Sequence, residues 1–296
     1  MMSIPQYIQD SASYITFIGQ TVDNQSLAQF NQQRLTLSKD GEYYLYFDNY
    51  NYKDVTITVE KEANVKVYLL SYYSRKSEMD IKVHVKDNAL LKLYSQFTAR
   101  RKTKVHVNRQ FDVDNNASLI LLNNLTFHGE FSLNEQIFLK GQQANLALDL
   151  LNINGVDDQS KVVQHVYHQA EKTYSQINNW LISNHNSKLN YVVNGTIEKG
   201  KAKSSCEQLN KGIILSDDGQ IRVVPSLYID EYDVVASHGA AIGQIDENQM
   251  FYLTSRGLTE FEAKNLIVSG YINPFLIKIK NKRLEALLKR RVKHLL

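Results

Sequence analysis

Apolar and polar residues alternate with a period of two along most of this chain. Val55, Ile57 and Val59 keep one phase, as do Ile81, Val83 and Val85, the mark of strands with one buried face. Strand-like segments are DVTITVE (54–60), MDIKVHVKD (79–87), KVHVNRQFDV (104–113), NEQIFL (134–139) and KVVQHVYH (161–168). Between them a second pattern recurs: a short polar turn, an alanine, then an alternating or continuous apolar run. It reads KEANVKVYLL from Lys61, KDNALLKLYS from Lys86, DNNASLILLN from Asp114 and GQQANLALDL from Gly141. The turn alanines, Ala63, Ala89, Ala117 and Ala144, lie 26, 28 and 27 residues apart. Looser copies are HNSKLNYVVN from His185 and SDDGQIRVVP from Ser216.

Each repeat therefore holds about two strands, and none of the spacers reads as a helix. A sandwich of hairpins and a β-solenoid both fit, and the near-constant period favours the solenoid, in which each coil stacks on the last. Turns rich in Asn, Asp and Lys suit its corners. Sparse proline suits interior strands, which need every N–H for the ladder.

Near residue 245 the pattern changes. Asp246-Glu247-Asn248-Gln249 reads as a capping box opening a helix that stops at Gly257. Thr259-Glu260-Phe261-Glu262 reads as a second box, opening a helix to about Ser269, before Gly270. Pro274 then precedes a last amphipathic helix with Leu276, Ile279, Leu284, Leu287 and Leu288 on its apolar face. The expected divisions are an N-terminal segment (1–40), a mostly β core (41–245) and a C-terminal helical domain (246–296).

Composition narrows the chemistry. The 296 residues include 3 Pro, 13 Gly and one cysteine, Cys206, which excludes an internal disulfide framework. With no apolar run long enough to span a bilayer and no secretory leader pattern at the start, a cytoplasmic, membrane-free protein is expected. The net charge of +3 conceals a basic tail, in which Lys278 to Lys293 hold eight Lys/Arg against one Glu. That pattern reads as a solvated helix face or a surface for an acidic partner. The tyrosines lie in the strands, not interleaved with the basic residues, so no nucleic-acid role is expected. Nucleophile-elbow, zincin, P-loop and dinucleotide motifs are all absent. A carbohydrate-active solenoid needs a column of clustered carboxylates on its strands; none is evident in the repeats, so no catalytic residue is assigned.

Among eight histidines, His84 and His106 sit in matching Lys-Val-His-Val strands, and His165 and His168 are three apart, on opposite strand faces. His238 differs. It lies in Val234-Val235-Ala236-Ser237-His238-Gly239-Ala240-Ala241, among small residues that pack closely or leave room for a ligand. Imidazole binds iron and other transition metals.

Residues 229–275, IDEYDVVASHGAAIGQIDENQMFYLTSRGLTEFEAKNLIVSGYINPFL, closely resemble the C-terminal signature of the SufB/SufD family of the SUF iron–sulfur assembly machinery. The Ser-His-Gly-Ala core and Phe-Tyr-Leu-x-Ser-Arg-Gly look more like the SufD branch; LNKGIILSDDGQIRVVPSL (209–227) is also similar. The resemblance implies a right-handed β-helix with a C-terminal α-helical domain and a non-enzymatic scaffold. It implies pairing with SufB or a like subunit and docking of SufC, an ABC-type ATPase, through the region of Phe251, Tyr252, Arg256, Gly257 and Phe261. It makes His238 the expected ligand for iron or a transient iron–sulfur cluster at a subunit interface, with Cys206 as a second candidate. Three departures stand out. The position two before the histidine, often Cys in SufD-like chains, is Ala236. The usual N-terminal helical domain has almost no room. Cys206 does not match the SufB cysteine position, to which Asn210 falls nearer. A structural paralogue that lost its iron chemistry is the competing reading.

Overall fold

The computed structural model describes residues 14–18, 21–24, 29–31, 33–48, 52–99 and 103–295. The expected N-terminal segment, 1–40, lies partly outside them. The strands are β1 Tyr14–Ile18, β2 Thr21–Asn24, β3 Gln29–Asn31, β4 Arg34–Leu37, β5 Gly41–Asp48, β6 Tyr52–Val59, β7 Asn64–Tyr73, β8 Ser77–Val85, β9 Leu90–Ala99 and β10 Thr103–Val113. They continue as β11 Ser118–Phe127, β12 Gly129–Leu139, β13 Asn145–Asn154, β14 Gln159–His168, β15 Tyr174–Ser183, β16 Lys188–Ile197, β17 Ser204–Ile214, β18 Gln220–Ile229 and β19 Val234–Gln244. From β5 onward the odd strands stack in one parallel sheet and the even strands in the other. The fold is thus a β-solenoid with one strand of each sheet per coil, as the repeat period predicts.

The corners explain how the coils turn with so little glycine. Glu62, Asn88, Asn116, Gln143, Lys172 and Lys203 take left-handed backbone conformations, with φ between 54° and 65°. Each such residue costs on the order of 1 kcal/mol. Its N–H offsets that by bonding the corner of the next coil: Asn88 donates to the Asn115 carbonyl at 2.9 Å and Asn116 to that of Gln142 at 2.9 Å. The small residue that follows is buried, as with Ala89, Ala117 and Ala144. In later coils Thr173 and Ser204 take this place. The looser copies expected at His185 and Ser216 belong instead to the opposite corner, leading into β16 and β18 of the even sheet. At His185 the turn chemistry is similar because that corner also takes a left-handed residue, Asn186.

The two sheets differ on their outer faces. β10 and β12 bury every second residue from Val105 and Phe131 onward, with exposed or half-exposed positions between, whereas β11 and β13 are buried on both faces over their C-terminal halves. That is why the alanine-led copies carry continuous apolar runs. Their second buried face is covered by helices α1 Glu247–Ser255, α2 Glu260–Ile279 and α3 Lys282–Leu295, of which the latter two supply the cover. Val268, Ile272, Phe275 and Leu276 of α2, with Leu284, Leu288 and Val292 of α3, pack on Tyr68, Leu122, Leu151, Ile153 and Ile182. Lys278 adds an ion pair with Asp149 at 2.7 Å.

The helix boundaries correct the sequence expectation. The Thr259–Glu262 capping box forms as expected, with N–H bonds of 3.2 and 2.8 Å. At Asp246 only one bond is seen, from the Asn248 N–H at 2.7 Å. Gly270 and Pro274 do not end α2, which runs on to Ile279. Glycine and proline cost about 1 and 3 kcal/mol inside a helix, but burying five large apolar side chains against the sheet gains about 1.5–3 kcal/mol each. The break comes at Lys280, in the left-handed region with φ 50°, followed by Asn281, whose side chain accepts from the Leu284 N–H at 3.2 Å.

Candidate functional site

The last coil has no coil beyond it. β18 and β19 are the terminal strands of their sheets, so their outer backbone groups form an unpaired edge. Ile229 and Ile242, in the interior phase that earlier coils bury, are exposed there, and the outward-facing Val224, Tyr228 and Val235 add to them, with Tyr228 at 56% and Val235 at 64%. Among the described residues this is the end at which the solenoid interior opens.

His238 lies on this edge. It pairs in register with Gln208 of β17, and Ala236 pairs with Cys206. Strand alternation puts His238, Cys206, Gln208 and Asn210 on one face, which in β17 points to the interior. His238 itself is exposed because nothing lies beyond it. Cys206 is buried, and burial raises its thiol pKa, keeping it protonated. Facing it is Gly195: a Cβ there would lie 2.5 Å from the Cys206 sulfur. The two expected ligands are thus brought to adjacent strands, two residues out of register, one open to solvent and one sealed. The thiol stands directly across from Ala236, the position at which the resemblance implies cysteine. Among the described residues no three His, Cys, Asp or Glu converge as a metal-binding group.

Behind His238 runs a feature that motif reading missed. Inside the solenoid, the buried Arg109 guanidinium donates to Ser95 at 2.7 Å, to Asn123 at 2.7 Å and to the buried Glu135 carboxylate. Glu135 also accepts from Asn123 and from Gln164, each at 3.1 Å. Asn179 donates to Gln164 at 2.9 Å and to Asn210 at 2.8 Å, and Asn210 donates to the Gly239 carbonyl at 3.1 Å. A continuous polar column therefore links β10 to the residue beside His238. Its signal was present: Arg109 and Glu135 occupy the apolar phase of Val105-Val107-Phe111 and Phe131-Leu133-Ile137.

Three other histidines are bonded within the solenoid. His84 bonds Asp114 at 2.7 Å on the neighbouring coil. His165 stacks on Tyr167 at 3.8 Å between centroids and bonds the Thr196 hydroxyl at 2.8 Å. His168 is sealed between the Thr173 and Ser175 hydroxyls, at 2.7 and 2.9 Å, and burial pulls its pKa down to about 4.

Beyond the edge stands α1, which buries none of its residues. Phe251, at 73% exposure, and Tyr252 both face solvent, with the Arg256 guanidinium 5.3 Å from the Tyr252 ring centre. Gly257 reverses the chain with φ 95°, and Phe261 stands exposed at the start of α2. The five residues expected to dock a partner are thus all exposed. With no buried residue, α1 gains little packing from its own chain.

Comparison with known proteins agrees with this geometry. Residues 45–271 match the model of the SUF system FeS cluster assembly SufBD core domain. The chain is 36% identical over 103 residues to the iron–sulfur cluster assembly protein SufD of Bacillus subtilis, covering 33% of this chain and 24% of that protein. It is 42% identical over 79 residues to a SufBD family protein of Methanothermobacter thermautotrophicus, covering 27% and 18%. A SufBD family protein of Pyrococcus horikoshii is 43% identical over 81 residues, covering 27% and 17%. The chain thus matches about a quarter or less of the length of these curated relatives. A carbohydrate-active reading is left without support. With the family model spanning most of a solenoid whose period and C-terminal signature point the same way, the chain belongs to the SufBD family of iron–sulfur cluster assembly proteins.

Proposed function

We propose that the chain is a SufD-like scaffold subunit, non-catalytic and cytoplasmic, which pairs through its open end with SufB or a like subunit and docks a SufC-type ATPase through α1 and the start of α2. The observation that carries this reading is the juxtaposition of an unpaired, apolar solenoid edge with a helix that buries nothing. Both surfaces are costly to leave in water, and both end the same coil.

In this reading the cluster, or iron, is cargo. His238 offers one nitrogen ligand at the interface, and thiolate or sulfide from elsewhere completes the coordination, since iron–sulfur centres accept imidazole in place of thiolate. Cys206 contributes only if the last coil shifts enough to expose its thiol. The polar column holds β19 in place, because Asn210 bonds the Gly239 carbonyl beside His238.

The test is co-expression with a SufC-type ATPase and a SufB-type subunit. A stable complex whose iron content falls when His238→Ala is introduced supports the reading. A stable complex that assembles clusters equally well with His238→Ala removes the ligand role. A complex devoid of iron in every preparation favours a structural paralogue.

A further inference from the structure

The open end carries a charge pattern that edge pairing alone does not explain. β18 and β19 hold one charged side chain between them, Arg222. The corners on both sides are acidic. Asp230, Glu231 and Asp233 fill the turn between β18 and β19, and Asp217 and Asp218 fill the turn before β18. Asp246 and Glu247 follow Gln244, whose amide donates to Asp217 at 3.4 Å. All but Glu231 are exposed. Two of these carboxylates are held in their charged form. Glu231 accepts from the N–H groups of Gly200, Tyr232 and Asp233, which lower its pKa. Asp218 is lowered first by the Ser216 hydroxyl. The cations nearby stand one coil back, at Lys199, Lys201 and Lys203, with His185 3.6 Å from Asp218. Residues 212–262 hold nine Asp/Glu against two Lys/Arg.

Two copies that meet end to end by a two-fold axis must place either like corners or opposite corners together. Both corners of this chain are acidic, so each arrangement sets carboxylates against carboxylates within about a Debye length, ~8 Å at physiological salt. Like charges across an interface act against the wrong partner more strongly than matched charges help the right one.

We propose that the open end rejects a second copy of this chain and selects a different subunit whose end corners carry Lys and Arg. The inference rests on the reading of this end as a pairing surface and names the chemistry of the partner that fits it. The apolar edge supplies adhesion, and the acidic corners supply choice.

The test uses the full chain and its charge-reversed form, Asp217→Lys/Asp230→Lys/Asp233→Lys, in sedimentation equilibrium at 50 mM and 1 M NaCl. The wild type is expected to self-associate at least about 100-fold more weakly than it pairs with the reversed chain at low salt, and the gap is expected to close at high salt. A third form, Ala240→Trp, sets an indole across the open end and should abolish the mixed pair. A wild-type dimer as tight as the mixed pair, and lost with Ala240→Trp, overturns the charge selection while leaving edge pairing intact. A mixed pair indifferent to Ala240→Trp, or no association in any mixture, overturns edge pairing and the selection with it.

Discussion

Removing the guanidinium of Arg109 tests the polar column most directly. Arg109 and Glu135 are both buried, with side chains fully out of contact with solvent. In Arg109→Met the Glu135 carboxylate keeps only the amides of Asn123 and Gln164. Breaking one partner of a buried ion pair costs about 3–5 kcal/mol, because the remaining charge is left uncompensated. Arg109→Met/Glu135→Gln removes both charges and keeps an acceptor for the same two amides, so its expected cost is only about 1–2 kcal/mol. The double variant should therefore be more stable than the Arg109→Met single. Urea denaturation followed by far-UV circular dichroism should place the double variant about 2–3 kcal/mol above Arg109→Met, and Glu135→Gln completes the double-mutant cycle that isolates the coupling. Equal stability of Arg109→Met and the double variant would refute the claim that charge compensation, rather than packing, holds this part of the interior together. Loss of protection at Gly239 in hydrogen exchange of the Asn210→Ala variant would show that the column reaches the edge strand.

Three further outcomes follow from the same geometry. Gly195→Ala should destabilise the chain by about 1–3 kcal/mol, since the new Cβ meets the Cys206 sulfur at 2.5 Å; adding Cys206→Ala should restore most of that loss in thermal melts. Phe251→Ser/Tyr252→Ser should leave the melting temperature within the spread of surface substitutions, about 0.5 kcal/mol, while abolishing co-purification of the ATPase, because neither ring is buried by this chain. His168 is neutral in the folded protein down to about pH 4, whereas an unfolded histidine protonates near 6.5. Its contribution is complete above about 6.5 and is lost as pH falls towards 4, on the order of 3 kcal/mol in all. His168→Gln should flatten that part of the stability–pH curve, and an unchanged slope would remove His168 as its source.

Local pattern determined more of this protein than its low glycine content suggested. Period-two alternation placed the strands, and the spacing of Ala63, Ala89, Ala117 and Ala144 revealed the coil, because each alanine fills the same cramped corner. Thr259 and Glu262 marked a helix start through bonds that span only three residues. The ordered run around His238 carried the family. Other features depended on which surfaces meet. Gly270 and Pro274 read as breaks, but α2 continues through them because the sheet beneath buries its apolar face. The two odd copies at His185 and Ser216 lie on the opposite corner, since both corners use the same turn chemistry. Arg109 and Glu135 are 26 residues apart in sequence and adjacent only once the coils stack. Cys206 and His238 likewise become neighbours only through the register of β17 with β19. Sequence periodicity reports the force that buries one face of a segment. What that face is buried against, and which polar groups are left at the open end, is decided by contacts between coils that no local pattern contains.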